Sequence, residues 1–215
     1  MLAASNSSLL LWPLVGVIVG FMVHGRSRVG GFADGSLVRP VNRTELLLAR
    51  FGSAALWTGL PALAAMGTAQ GAVESVFHLA YPLLPLILEG LALWAAMLTW
   101  VGLTMMVAQI SRTSTAVVVF PVSLYLVFAV GWSFLPFGPV VTQYGLAWPP
   151  AFYLSLLNPT LLPELMAYVA APALAKENFP YWHFGFGALV SVAIACTSWV
   201  LLPLGGAIYA WLHRD

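Results

Sequence analysis

Apolar positions along this chain do not alternate with polar ones at a strand period of two, nor do they form one stripe of a soluble helix. They run in blocks. A helix that crosses the hydrocarbon core of a bilayer needs ~20 mostly apolar residues. Five blocks meet or approach that length: residues 9–23, 46–69, a stretch within 73–110, 115–135 and 186–212. The third is too long for one crossing and too short for two. Pro82 and Pro85 divide it, because proline is tolerated in the first turn of a helix and breaks its interior. The pattern therefore predicts a short segment before the prolines, then one long helix over 82–110. The expected fold is all-α and integral to a membrane, one transmembrane domain over 1–215 with about five transmembrane helices.

The charged residues set an orientation for those helices. Arg26, Arg28, Arg39, Arg43 and Arg50 lie between the first and second blocks, Arg112 between the third and fourth, and Arg214 after the fifth. With five crossings these seven arginines share one side, and only Lys176 lies opposite. The positive-inside rule assigns the arginine side to the cytoplasm, so the expected N-terminus is external and the C-terminus cytoplasmic. The apolar block near Leu9 is expected to be a retained span rather than a secretory signal, because no Lys or Arg precedes Arg26. Residues 139–184 are then external. They are rich in proline and include Trp148, Tyr153, Tyr168, Tyr181 and Trp182, which suit the headgroup level. Within them, 161–174 is apolar enough for short interfacial helices or a shallow re-entrant turn before the last span.

Composition agrees with the block pattern. Of 215 residues, 61% are apolar or aromatic and 7% carry a charge, with a mean hydropathy of +0.93. Such a chain cannot clothe a soluble surface. A net charge of +1 gives no basic face for nucleic acid, and the single cysteine, Cys196, excludes an intrachain disulfide. No phosphate-cradling glycine loop with Lys-Ser/Thr, no His-Glu-x-x-His and no Cys-x-x-Cys occurs, so no catalytic residue, metal site or cofactor is expected. His24, His78, His183 and His213 fall at the ends of the blocks, which argues against a bis-histidine haem.

Two places carry candidate chemistry. Glu89 is the one acid inside an apolar block. Counting back ~20 residues from Ser111-Arg112 puts it at the outer interface, as a hydrogen-bonded structural acid or as part of a substrate path or gate. Glu74, His78 and His183 lie nearby in the external reading, as ordinary polar positions or a weak cation site. The second place is the loop 25–45 and the helix start after it. Asn42 is a suitable N-cap, and Glu45, three residues on, completes the spacing of a capping box. Arg50 then sits where its long side chain can snorkel to the headgroups.

The stretch from Gly35 through Arg39-Pro40-Val41-Asn42-Arg43-Thr44-Glu45 to Arg50 resembles the signature of ABC exporter permeases of the type-2 class. There an acid and a Gly-Thr-Leu precede Pro-Val-Ser-Arg and a Glu-Leu-Leu-Leu helix start. Asp34 and Gly35 correspond to the acid and glycine. Ser111-Arg112-Thr113-Ser114-Thr115 resembles the class's short cytoplasmic turn, and Leu156-Leu157-Asn158-Pro159 its Leu-Asn-Pro before the last span. The small permeases of nitrous-oxide reductase maturation are similar. That class has six spans, and the five here correspond to its last five. The resemblance implies a permease subunit without enzymatic activity of its own. Its implied partners are a cytoplasmic ATP-binding subunit, itself or a sister permease, and membrane lipid, in a prokaryotic plasma or inner membrane. It implies that Asp34, Gly35, Arg39, Pro40, Asn42, Arg43, Glu45 and Arg50 form the ATPase-coupling loop, and that Asn158 and Pro159 mark the external segment. Composition alone leaves open a non-catalytic structural or assembly subunit of a larger redox complex, and a lipid-acting membrane enzyme using Glu89, His78 and His183.

Overall fold

The computed structural model describes residues 11–25, 42–77, 82–111, 113–134, 149–171 and 185–213. Among these, regular structure is helical throughout, without a strand. In chain order the helices are α1 (Trp12–Gly20, continued by a π-helical turn, Phe21–Gly25), α2 (Arg43–Phe77), α3 (Leu83–Ile110), α4 (Ser114–Ala129, followed by a 3-10 turn, Gly131–Phe134), α5 (Pro149–Ser155), α6 (Leu162–Ala170) and α7 (Phe186–Leu212). A hydrocarbon core leaves backbone N–H and C=O groups without water, and a helix satisfies them internally.

Three of these elements contain apolar stretches long enough to cross a membrane: Thr44–Thr68, Leu83–Ile110 and Phe186–Leu212. This is an all-α membrane protein. α1 with its π turn, and α4, are apolar but shorter. At 1.5 Å per residue they reach about 20 and about 24 Å, against a hydrocarbon core of about 30 Å. α4 stops where Gly131 opens a tighter 3-10 turn, so the block expected to run to residue 135 is not one continuous α-helix.

The proline-marked start of the long third helix is where the pattern puts it. Pro82 is the N-cap of α3, and Pro85 lies in the first turn. Upstream, α2 continues to Phe77, so residues 73–77 close the second helix rather than begin the third stretch. A residue expected at the headgroups also behaves differently, since Arg50 is half-buried within the bundle.

α3 is the axis of the fold. Of its most apolar stretch, 72% is buried, against 22% for α2 and 28% for α7. Small residues let the neighbours close on it. A Cβ on Gly16 would overlap the Met97 backbone carbonyl, and one on Gly20 would sit 3.0 Å from Thr104 Cβ. α7 approaches at Gly102, where an added Cβ would lie 3.1 Å from Pro203, and Gly206 faces Met106. This is how helices associate in lipid, where burying apolar surface gives little drive and close van der Waals contact gives most of it. Buried hydroxyls bond back to their own helices: Thr104 to the Trp100 carbonyl (2.7 Å), Thr99 to Ala95 (3.0 Å) and Thr58 to Ala54 (2.9 Å). Trp94 donates across to α2, to the Ala55 carbonyl at 2.9 Å.

These contacts give the helix directions. Gly16 meets Met97 and Gly20 meets Val101, so α1 runs parallel to α3, as does α7 through Pro203 on Gly102 and Gly206 on Met106. α2 is antiparallel, with Met66 against Gly90 and Leu47 near Met105. α4 leaves the Ile110 end and returns along α3, with Tyr125 on Trp100. α5 and α6 fold over the Leu83 half of the bundle, where Phe152, Leu162 and Leu165 pack with Ala92, Ala188 and Val192. α6, expected as a short interfacial helix or part of a shallow re-entrant turn, is buried in the bundle along most of its length.

Candidate functional site

Two polar constellations occupy opposite ends of α3. At the Ile110 end, α2 begins as the capping pattern predicts. Asn42 precedes the first helical residue, Arg43, and its Oδ1 accepts the Thr44 N–H at 3.0 Å, satisfying one of the N–H groups that a helix start leaves without an intrahelical partner. Glu45, in the third helical position, has an exposed side chain. Asp34, Gly35, Arg39 and Pro40 lie outside the described residues, as do Arg112, His78 and His183.

Two turns into α2, Arg50 turns inward. Its Nη1 lies 3.1 Å from Nδ1 of His24, which is fully buried in the π-helical turn after α1. On the other side of the ring, His24 Nε2 meets the side-chain amide of Gln109, from the last turn of α3. The indole of Trp211 from α7 covers the imidazole, ring centres 5.4 Å apart. One imidazole thus ties together α1, α2, α3 and α7.

The donor inventory fixes the arrangement. A guanidinium only donates, so Nδ1 must accept from Arg50. The ring proton then sits on Nε2, and the Gln109 group facing it must be the amide oxygen, an assignment made from the hydrogen-bond network. The π-helical turn has a local use here, because its wider winding re-aims His24 between α2 and α3. Nothing at helical spacing signals this cluster, since its members are residues 24, 50, 109 and 211. The Gly16-Val17-Ile18-Val19-Gly20 pattern that brings α1 close enough was visible.

At the Leu83 end, Glu89 lies half-buried in the second turn of α3, facing the charge of Glu164 on α6. Glu164 accepts the Tyr168 hydroxyl at 3.2 Å. Burial, then the charge of Glu164, then this hydrogen bond hold the Tyr168 phenol protonated above its ordinary value of 10.0. A raised pKa in the folded state contributes stability fully below the unfolded value and loses it as pH rises past that value. As pH rises past 10.0 the native protein should therefore lose stability that Tyr168→Phe does not lose, read as melting temperatures that run parallel below that value and diverge above it.

Asn158, expected to mark the external segment, is a structural pin. It is fully buried. Its Nδ2 donates to the Phe128 carbonyl at 2.9 Å, one of the last-turn acceptors of α4, while its Oδ1 accepts the N–H (3.0 Å) and hydroxyl (2.7 Å) of Thr160. Trp199 of α7 donates to the adjacent Leu156 carbonyl at 3.0 Å. Pro159 is buried in the same turn. Asn158→Ala leaves the Phe128 carbonyl and the Thr160 groups without these partners and should cost about 1–3 kcal/mol, read by thermal unfolding in detergent.

Among the described residues no three His, Cys, Asp or Glu side chains are grouped to hold a metal. The chain matches no known family model and no curated protein.

Proposed function

We propose that this chain is the membrane-spanning permease subunit of an ATP-driven transporter of the ABC type, crossing the membrane five times with its N-terminus outside and its C-terminus in the cytoplasm. The observation that carries the reading is the alternation of helix direction. α1, α3 and α7 run one way and α2 and α4 the other, so the segments holding Arg26 to Arg43, Arg112 and Arg214 all adjoin the Ile110 end. With five crossings, the positive-inside rule then assigns that end to the cytoplasm. The resemblance of residues 35–50 to the coupling loop of type-2 exporters supplies the partner: a cytoplasmic subunit that binds and hydrolyses ATP, working with a pair of permeases.

In this reading the Asn42-capped start of α2 is the handle. Closure of the ATPase subunits draws on Arg39, Arg43 and Glu45, and the Arg50 to His24 to Gln109 linkage passes that displacement to α1 and α3. Packed helices transmit such shifts as rigid bodies. Glu45→Lys should leave assembly intact and lower the transport achieved per ATP hydrolysed by about tenfold; unchanged coupling would remove Glu45 from the contact.

The test of the whole reading is purification through an N-terminal tag in mild detergent, followed by mass spectrometry of the co-purifying chains. A stoichiometric soluble subunit with a phosphate-binding Gly-Lys-Ser/Thr loop, lost in the Arg39→Glu, Arg43→Glu variant, is expected. Recovery of cofactor-bearing membrane subunits alone would replace the reading with that of a structural subunit in a redox complex.

A further inference from the structure

A lateral groove of about 380 Å³ opens between α3 and α7, with Met166 of α6 at its base. Its α3 wall runs from Leu88 through Ala92 and Ala95 to Leu98, and its α7 wall from Ala193 to Leu201. The volume lies in the range of small-molecule sites, roughly 300–1,000 Å³. The lining is mostly aliphatic, with Trp94 and Thr197 among it. Leu91 and Leu201 on its rim are exposed, so it opens sideways from two membrane-crossing helices rather than into the bundle.

Length and depth define what fits. The α3 wall runs over eleven residues, ten helical rises of about 1.5 Å or about 15 Å, which is half of a hydrocarbon core of about 30 Å. It starts in the second turn of α3 and ends near the middle of that helix, and the α7 wall occupies the same half of α7. A slot of that length and position matches one acyl chain of one leaflet. Beside its Leu88 end lies Glu89, the next residue of α3, and two residues before Met166 on α6 lies Glu164. Two acids facing each other in a partly buried setting repel, and a cation near both relieves the repulsion.

We propose that this groove holds one acyl chain of a phospholipid whose headgroup bears a primary ammonium, with Glu89 and Glu164 receiving the ammonium. The site depends on α3 and α7 spanning the bilayer and stands apart from the transport reading. Ala193 is exposed on the rim, so a bulky residue there fills the slot without entering the core. Cys196 lines the groove and reports on its occupancy.

The test uses the delipidated full chain in detergent, titrated with phosphatidylethanolamine or phosphatidylglycerol and read by native mass spectrometry and by N-ethylmaleimide labelling of Cys196. Expected are one tightly held phosphatidylethanolamine per chain, about three- to tenfold preferred over phosphatidylglycerol, and slower labelling when it is bound. Ala193→Trp should lose the bound lipid. Ile194→Trp, equally bulky but outside the groove, should keep it, and matching melting temperatures verify that both variants fold. Glu89→Gln with Glu164→Gln should keep the lipid and lose the headgroup preference. Equal binding by Ala193→Trp, which would mean surface lipid only, overturns the site. A headgroup preference that is absent, or that survives loss of both carboxylates, overturns the recognition.

Discussion

Gly16→Leu is expected to lower stability by about 3 kcal/mol, the upper part of the usual range for overpacking, and to shift the melting temperature in detergent accordingly. The reason is local. The atom that an added side chain meets is the Met97 carbonyl of α3, part of a rigid helix backbone rather than the end of a flexible side chain. α1 would have to move away from α3 along its length, opening contacts at Gly20 and at the His24 cluster beyond it. Gly52→Ala provides the contrast. Nothing lies within 4 Å of a Cβ there, so the same class of change should leave stability unchanged or raise it by about 0.5–1 kcal/mol through helix propensity. A Gly16→Leu variant as stable as the parent would show that close approach to the Met97 carbonyl does not hold α1 against α3.

Arg50→Ala should cost about 2 kcal/mol, because it leaves Nδ1 of a fully buried imidazole without its donor. Arg50→Lys should recover only part of this, since an ammonium lacks the planar fork of the guanidinium. A double-mutant cycle with His24→Phe separates the hydrogen bond from general packing. If Arg50 acts through the imidazole, the paired change costs less than the sum of the single ones by about 1 kcal/mol. Strict additivity would mean that Arg50 stabilises the bundle by another route. In the transporter reading, Arg50→Ala should also lower coupling while the Asn42-capped start of α2 remains in place.

Hydropathy blocks and proline placement made the helices legible, including the start of α3 at Pro82, and the cap at Asn42 could be read from three residues. What the chain pattern did not disclose were contacts between elements. Arg50 reads as a snorkelling residue because one helix in isolation offers it only the headgroups; in the bundle it has His24. Asn158 sits in a motif that reads as a functional mark, yet its bonds go to the end of α4 and to the next turn. α6 reads as interfacial because it is short and apolar, but α3 and α7 leave a concave surface that it fills. The Arg50–His24 and Asn158–Phe128 pairings span at least 26 residues of sequence, and α6 packs between separate elements, where local periodicity carries no information.

The burial of α3 by later parts of the chain bears on how the protein is made. α3 carries Thr99, Thr104 and Gln109, and its flank at Gly102 and Met106 is covered by α7, which is synthesised after α3, α4, α5 and α6. Until residues after about 203 have emerged and entered the bilayer, the central helix has one side bare, and the lock around His24 lacks Trp211. A chain stopped before α7 is therefore half-assembled, with the middle of its central helix facing lipid.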